Sequence, residues 1–146
     1  MGLSKRYHPF QEAFLSSIKL PDYRLKQKIL YIDNTNADVL INYGNLFLEA
    51  GVISDALDFY QKAKHNEGLQ RIKDIALESG DVFIFQRTAK ALNLELKPSD
   101  WENIGQKAIE LKKYFFAQHA LEKANNEDLL NSLKNTMKAE ELHKNL

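Results

Sequence analysis

Few side chains stand in spacings that carry out chemistry. Four histidines are scattered through the 146 residues, and no pair has the His-Glu-x-x-His spacing that binds zinc on a helix. Glu140 and His143 stand three residues apart, a spacing that di-iron helical bundles use twice, together with two further helix carboxylates. A single such pair indicates two solvated side chains instead, and the same interpretation holds for His119 and Glu122.

Nucleophilic and phosphate-binding sites are not indicated either. The sequence contains no cysteine, which excludes thiolate catalysis, disulfides and cysteine ligands for zinc. The segment ESGDV has one glycine, whereas phosphate-binding loops contain several. No Ser, His and Asp set has a local signature, although a triad that is assembled in space leaves none. We therefore expect no enzyme, no metal and no cofactor.

The charge balance argues against nucleic acid and membrane as partners. Twenty basic and twenty acidic residues cancel, so no net field attracts phosphate groups. Three segments (SKRYH, RLKQK and LKKYFF) mix basic and aromatic residues, as single-strand binders do, but they also fit solvated helix faces and a helix turn. No apolar run reaches the roughly 20 residues of a membrane span, and no signal peptide is recognisable. We expect a cytoplasmic protein.

The elements that must position these residues are helices. Apolar residues recur every three or four positions, and no long stretch alternates with period two. Pro9, Pro21 and Pro98 each stand where a helix can begin. Asn, Asp and Ser residues precede several of the apolar segments as possible caps. The pattern predicts an all-α domain of about nine short helices, joined by tight turns and stacked as hairpins.

Two segments share one internal pattern. Gly44 and Gly105 each lie inside a predicted helix, where glycine costs roughly 0.5–1 kcal/mol relative to alanine. In both segments an alanine, Ala56 or Ala117, follows 12 residues later. Two helices that approach closely at these small residues would offset that cost. The predicted core positions of the two segments are Leu40, Tyr43, Gly44, Phe47, Ala56, Tyr60, Ala63, Trp101, Ile104, Gly105, Ala108, Ala117, Leu121 and Ala124.

This pattern resembles the tetratricopeptide repeat (TPR), in which a large residue, Leu-Gly and Tyr mark the first helix and Ala and Phe the second. The resemblance implies a right-handed α–α superhelix of antiparallel hairpins in one domain, residues 1–146. Its predicted parts are a divergent N-terminal hairpin at 1–36, repeats at 37–63 and 98–124, an irregular repeat at 66–95 and a capping helix at 126–144.

The middle repeat can be aligned in two ways, because the two clear repeats lie 61 residues apart (105 − 44) instead of roughly 68. Matching Gly51 to Gly80 places Lys73 at the small-residue position of the first helix. The other alignment places Thr88 at the small-residue position of the second helix. It also places Phe85 at the turn where the family often has tyrosine, and we prefer it.

The resemblance also implies a function. Members of the family bind a peptide or helix of a partner in a concave groove lined by the first helix of each hairpin. The positions that commonly line this groove are Asp38, Ile41, Asn45, Leu48, Glu49, Ser99, Glu102, Gln106, Ile109 and Glu110. Some members use Lys, Arg and Asn to bind a C-terminal carboxylate, but Ile41 and Ser99 disfavour that use here. Carboxylates mixed with aliphatic residues suit a basic or amphipathic segment.

Two functions of different classes remain open. The first is a protein–protein interaction module, an adaptor or scaffold, that works as a monomer or weak homodimer. The second is a structural or oligomerisation segment of a larger helical-repeat assembly. Lys134, Lys138 and Glu141 would give the final helix a polar outer face, as a terminal cap requires, which favours the first. If the final helix is instead a dimerisation helix, the second is favoured.

Overall fold

A computed structural model describes residues 20–146, and this part of the chain consists of helices and turns without a β-strand. The all-α class is therefore confirmed. The predicted helix after Pro9, together with His8, lies outside the described residues. The described elements are α1 (Tyr23–Gln27), a π-helical segment (Lys28–Ile32), α2 (Ala37–Glu49), α3 (Ile53–Ala63), α4 (Asn66–Ser79), α5 (Val82–Ala91), α6 (Pro98–Glu110), α7 (Tyr114–Ala124) and α8 (Glu127–Lys144).

The chain divides into two compact units, Met1–Lys73 and Asp74–Leu146, and the boundary falls within α4. In the first unit α2 packs along α3. The rings of Tyr43 and Phe47 both stack on Phe59, with centroid separations of 5.5 and 5.4 Å. Aromatic pairs at this separation stabilise a core beyond the area that they bury, so this stack holds the hairpin together.

A buried ion pair attaches α1 to α3. The ammonium group of Lys26 donates hydrogen bonds to Asp55 and to Asp58, the latter at 2.8 Å, and only 11% of the Lys26 side chain is exposed. Burial opposes the charged form, but the hydrogen bonds to the two carboxylates outweigh that effect and raise the pKa of Lys26. The lysine therefore stays charged well above neutral pH.

The second unit contains the α6–α7 hairpin, with α8 packed against α7. One hydrophobic cluster joins Ala76 and Val82 to Trp101 and Ile104. A second cluster forms between Ala108, α7 and α8, and includes Leu121, Leu130 and Leu133. All 14 predicted core positions are buried or half-buried.

The two hairpins have matching lengths and turns. Helices α2 and α6 have 13 residues each, and α3 and α7 have 11 each. The turn inside each hairpin has a left-handed residue, Gly51 (φ 78°) or Lys112 (φ 58°). Each hairpin also ends on one, Lys64 (φ 53°) or Asn125 (φ 56°). All these features recur at an offset of 61 residues (98 − 37 and 124 − 63).

The turn between α4 and α5 is formed by Gly80 and Asp81. Gly80 adopts a left-handed conformation (φ 65°) after the end of α4, and the Asp81 carboxylate caps α5 by accepting a hydrogen bond from Ile84 N–H at 3.0 Å. Helix α5 therefore begins at Val82. Phe85 lies one turn inside the helix and not at the turn, whereas Thr88, the small residue of the preferred alignment, is completely buried. The alignment of the middle repeat stays a prediction.

The closest contact of each helical glycine also differs from the expected glycine–alanine pairing. A Cβ atom on Gly44 would lie 2.5 Å from Cε1 of Tyr60, and one on Gly105 would lie 3.0 Å from Cδ2 of Leu121. Both neighbours lie 16 residues after the glycine (60 − 44 and 121 − 105). The glycines therefore make room for a large buried side chain of the second helix.

Candidate partner-binding surfaces

Four of the groove positions predicted on α2 lie along one side of the helix, and we call them the α2 stripe: Asp38, Ile41, Asn45 and Glu49. Asp38, Asn45 and Glu49 are exposed, and Ile41 is half-buried. Leu48 is only 1% exposed, so its prediction as a partner contact was wrong. It lies four residues after Gly44, on the face that packs into the core, because residues at this spacing share one side of a helix.

Asn45 links the α2 stripe to the core. Its side-chain carbonyl accepts a hydrogen bond from the hydroxyl of Tyr60, which is completely buried. Burial raises the pKa of Tyr60, which keeps the hydroxyl protonated so that it can donate this bond. The bond fixes Asn45 before any partner arrives, and such preorganisation lowers the entropy cost of binding.

The positions on α6 form an equivalent α6 stripe. Ser99, Gln106 and Glu110 are exposed. Glu102 is half-buried and accepts a hydrogen bond from the Asn126 side chain at 3.3 Å. Ile109 packs partly against the cluster between α6, α7 and α8.

Each stripe presents two carboxylates and one half-buried isoleucine. In the α6 stripe Glu110 lies 3.6 Å from the ammonium group of Lys107, in an exposed pair that contributes little stability. In both stripes the first and last positions are 11 residues apart (49 − 38 and 110 − 99), which is about 16 Å of helix. A stripe of this length can accept about three turns of a partner helix, with charge steering the encounter and isoleucine providing apolar contact.

A further surface was missed by sequence reasoning. An open cleft of about 420 Å³ lies between the start of α7 and the middle of α8. Its lining residues are Lys112, Lys113, Tyr114, Phe115, Phe116 and Met137. The sequence predicts a helix turn for the segment LKKYFF. Two adjacent phenylalanines on a helix point about 100° apart, so both rarely reach the same core, and that was the available signal.

The tyrosine of this segment, Tyr114, links α7 to α8. The hydroxyl of Tyr114 donates a hydrogen bond to Glu140 of α8, and this bond raises the pKa of Tyr114. Glu140 also lies 3.9 Å from the ammonium group of Lys112. Glu140 is therefore occupied by partners on the neighbouring hairpin, which corrects its interpretation as one of a solvated pair with His143.

His119 and Glu122 also have separate partners. His119 lies 4.9 Å from the ring of Phe83 and 6.1 Å from that of Trp101, and its Nε2 is 3.2 Å from the side-chain oxygen of Gln86. Glu122 accepts a hydrogen bond from Gln118. Within residues 20–146, no three His, Cys, Asp or Glu side chains come together in a group that could hold a metal ion.

Two further observations concern membrane spans and similarity to known proteins. No helix among residues 20–146 is both long enough and apolar enough to cross a membrane. No protein-family model matches the chain, and neither a curated protein nor a solved structure matches it. Its function is therefore inferred from the surfaces described above.

Proposed function

We propose that the protein is a non-enzymatic interaction module, an adaptor or scaffold, that binds a basic or amphipathic segment of a partner protein along the first helices of its hairpins. One observation carries this proposal. The two hairpins have equal helix lengths and equivalent turns, and their shared residues are used in packing, which leaves the α2 and α6 stripes accessible.

The proposal includes a TPR-like right-handed superhelix, in which the first helices of successive hairpins line one concave groove. Glu49 and Glu110 stand at the same position of their hairpins and are both exposed. They would attract lysine or arginine side chains of the partner. Ile41 and Ile109 would contact the apolar side of the bound segment, which supplies most of the affinity.

A charge-reversal experiment tests the proposal. Amphipathic peptides with one basic and one aliphatic face are presented on an array, and binding of the double variant Glu49→Lys plus Glu110→Lys is compared with wild type. We expect the double variant to lose binding, because both stripes become repulsive to basic residues. The matched control is Glu95→Lys plus Glu122→Lys, which makes the same charge change at exposed residues outside the stripes. Equal binding by all three proteins would refute the proposal.

The second candidate, an oligomerisation segment, is favoured by one observation on α8. Leu142 is 69% exposed and Met137 is 36% exposed, so the helix retains apolar side chains that a second copy could cover. Sedimentation equilibrium separates the two functions. A monomer across the accessible concentration range supports the adaptor, whereas a tight dimer that Leu142→Ala dissociates supports assembly.

A further inference from the structure

The cleft between α7 and α8 has an unusually exposed aromatic side chain at its edge. Phe115 is 87% exposed, whereas Phe116 is half-buried beside it. Phe116 is 5.4 Å from the ring of Phe83, in an edge-to-face arrangement, so the apolar floor of the cleft is held in place by packing. Large exposed aromatic residues at the edge of a formed cleft are characteristic of binding sites for protein partners.

The charges around the cleft are mainly positive. Lys112 is 75% exposed at its rim. The ammonium group of Lys113 donates a hydrogen bond to the backbone carbonyl of Ser79 at the end of α4, which fixes it beside the cleft without neutralising it. The residues that line the cleft include these two lysines and no carboxylate.

Among the contacts described for the cleft, one carboxylate, that of Glu140, forms an ion pair with one of these lysines. Glu140 accepts the hydrogen bond from Tyr114 and lies 3.9 Å from Lys112. Its single negative charge is smaller than the combined charge of the lysines. A ligand of complementary charge would therefore be acidic.

We infer that this cleft is a second interaction site, which takes an acidic segment of a partner protein by inserting one bulky apolar side chain between Phe115, Phe116 and Met137. The cleft of about 420 Å³ has room for a single bulky apolar side chain. Lysines at the rim would pair with carboxylates on either side of the inserted residue. This inference goes beyond the proposed function, since the α2 and α6 stripes are acidic and select the opposite charge.

Fluorescence anisotropy with synthetic peptides tests the inference. The probe is a labelled peptide with one central phenylalanine flanked by glutamates, and the reference is the same peptide with alanine in place of phenylalanine. We expect the probe to bind the wild type about tenfold more tightly than the reference does. Phe115→Ala and Lys112→Glu should each weaken binding of the probe by about tenfold.

Two matched variants control for general effects. Lys123→Glu makes the same charge change at an exposed residue of α7, and Leu142→Ala removes an exposed apolar side chain from α8. Both should bind the probe as tightly as wild type. Because Phe115 contributes almost nothing to the core, Phe115→Ala should melt at the wild-type temperature, and this is checked by circular dichroism.

Four outcomes would overturn the inference. Probe and reference could bind equally, or Phe115→Ala could bind the probe normally. Vesicles of phosphatidylserine and phosphatidylcholine could sediment the protein while the probe fails to bind, which would assign the cleft to a membrane. A dimer that Phe115→Ala dissociates would assign it to a second copy. The Glu49→Lys plus Glu110→Lys variant should keep its affinity for the acidic probe, so failure of the groove and failure of the cleft are distinguishable.

Discussion

At the residue scale, small residues create space and large ones fill it. Gly44 and Gly105 occupy equivalent positions, yet they face side chains of different size, Tyr60 and Leu121. The tyrosine is the tighter fit, because its ring is rigid and its hydroxyl is bonded to Asn45. A substitution at Gly44 must therefore move a side chain that is fixed at both ends.

We predict that Gly44→Ala destabilises the protein although alanine is the better helix former. Helix propensity favours the change by roughly 1 kcal/mol, but the new methyl group overlaps the ring of Tyr60, and overpacking costs about 1–3 kcal/mol. Gly105→Ala should be milder, since its Cβ would lie 3.0 Å from the flexible end of Leu121. Urea denaturation measures the order, with Asn42→Ala on the exposed side of α2 as the control. A Gly44→Ala variant as stable as Asn42→Ala would contradict this packing.

We also predict that stability falls at alkaline pH. The pKa values of Lys26 and Tyr60 are both raised in the folded protein. Each therefore contributes stability that is complete below its unfolded pKa, about 10, and is lost as the pH rises through the folded pKa. Melting temperatures between about pH 8 and 11 should drop at the upper end, and Tyr60→Phe should drop less. A drop of the same size in Tyr60→Phe would show that this tyrosine has no part in it.

At the element scale, the helices were predictable where local chemistry sets their ends. Asn36 caps α2 and Pro98 opens α6, and the predicted segments 37–63 and 98–124 begin and end with these hairpins. The partners of the helices were not predictable in the same way. That Gly44 faces Tyr60 depends on how one helix is rotated about its axis against another, and the local spacing of residues does not determine this rotation.

The errors have the same origin. Leu48 was placed in the groove from its position in the family repeat, although its spacing from Gly44 already put it on the buried face. Phe85 was placed at a turn because the preferred alignment puts Thr88 at the small-residue position, whereas Gly80 and Asp81 carry the local signals that end one helix and start the next. The adjacent phenylalanines of LKKYFF indicate one exposed aromatic ring, but the cleft beside it also requires the placement of α8.

We predict that Lys64→Gly stabilises the protein by about 0.5–1 kcal/mol. Lys64 ends α3 in a left-handed conformation (φ 53°), which is unfavourable for residues with a Cβ atom and free for glycine. Lys62→Gly, two residues earlier and inside the helix, should instead destabilise by roughly 1 kcal/mol. Thermal unfolding of the two variants should shift in opposite directions, and a shift in the same direction would contradict the capping argument.

At the scale of the whole molecule, the net charge is zero, but surfaces of both signs are present. The α2 and α6 stripes are acidic, and the cleft at Phe115 is basic. No overall field exists to favour either, so any charge effect on binding comes from the local surfaces.

We therefore predict that added salt weakens the binding of both basic and acidic peptides. Raising the ionic strength from about 0.1 M to 1 M shortens the screening length from about 10 Å to 3 Å, which removes attraction to each local surface. Anisotropy titrations at the two ionic strengths measure the change. Affinity that rises with salt for either peptide would show that its binding is driven by apolar contact alone.

Tyr60 packs between two glycines, and this packing determines where the chain can be truncated without destabilising the first hairpin. Gly44 of α2 faces one side of the ring, and Gly68 of α4 faces the other, where an added Cβ would lie 2.8 Å from Cδ2. A fragment that ends with α3 would leave this side of the ring in water. The shortest autonomous form of the first hairpin must therefore extend beyond Gly68, and a protease that cleaves between α3 and α4 should release no stable N-terminal fragment.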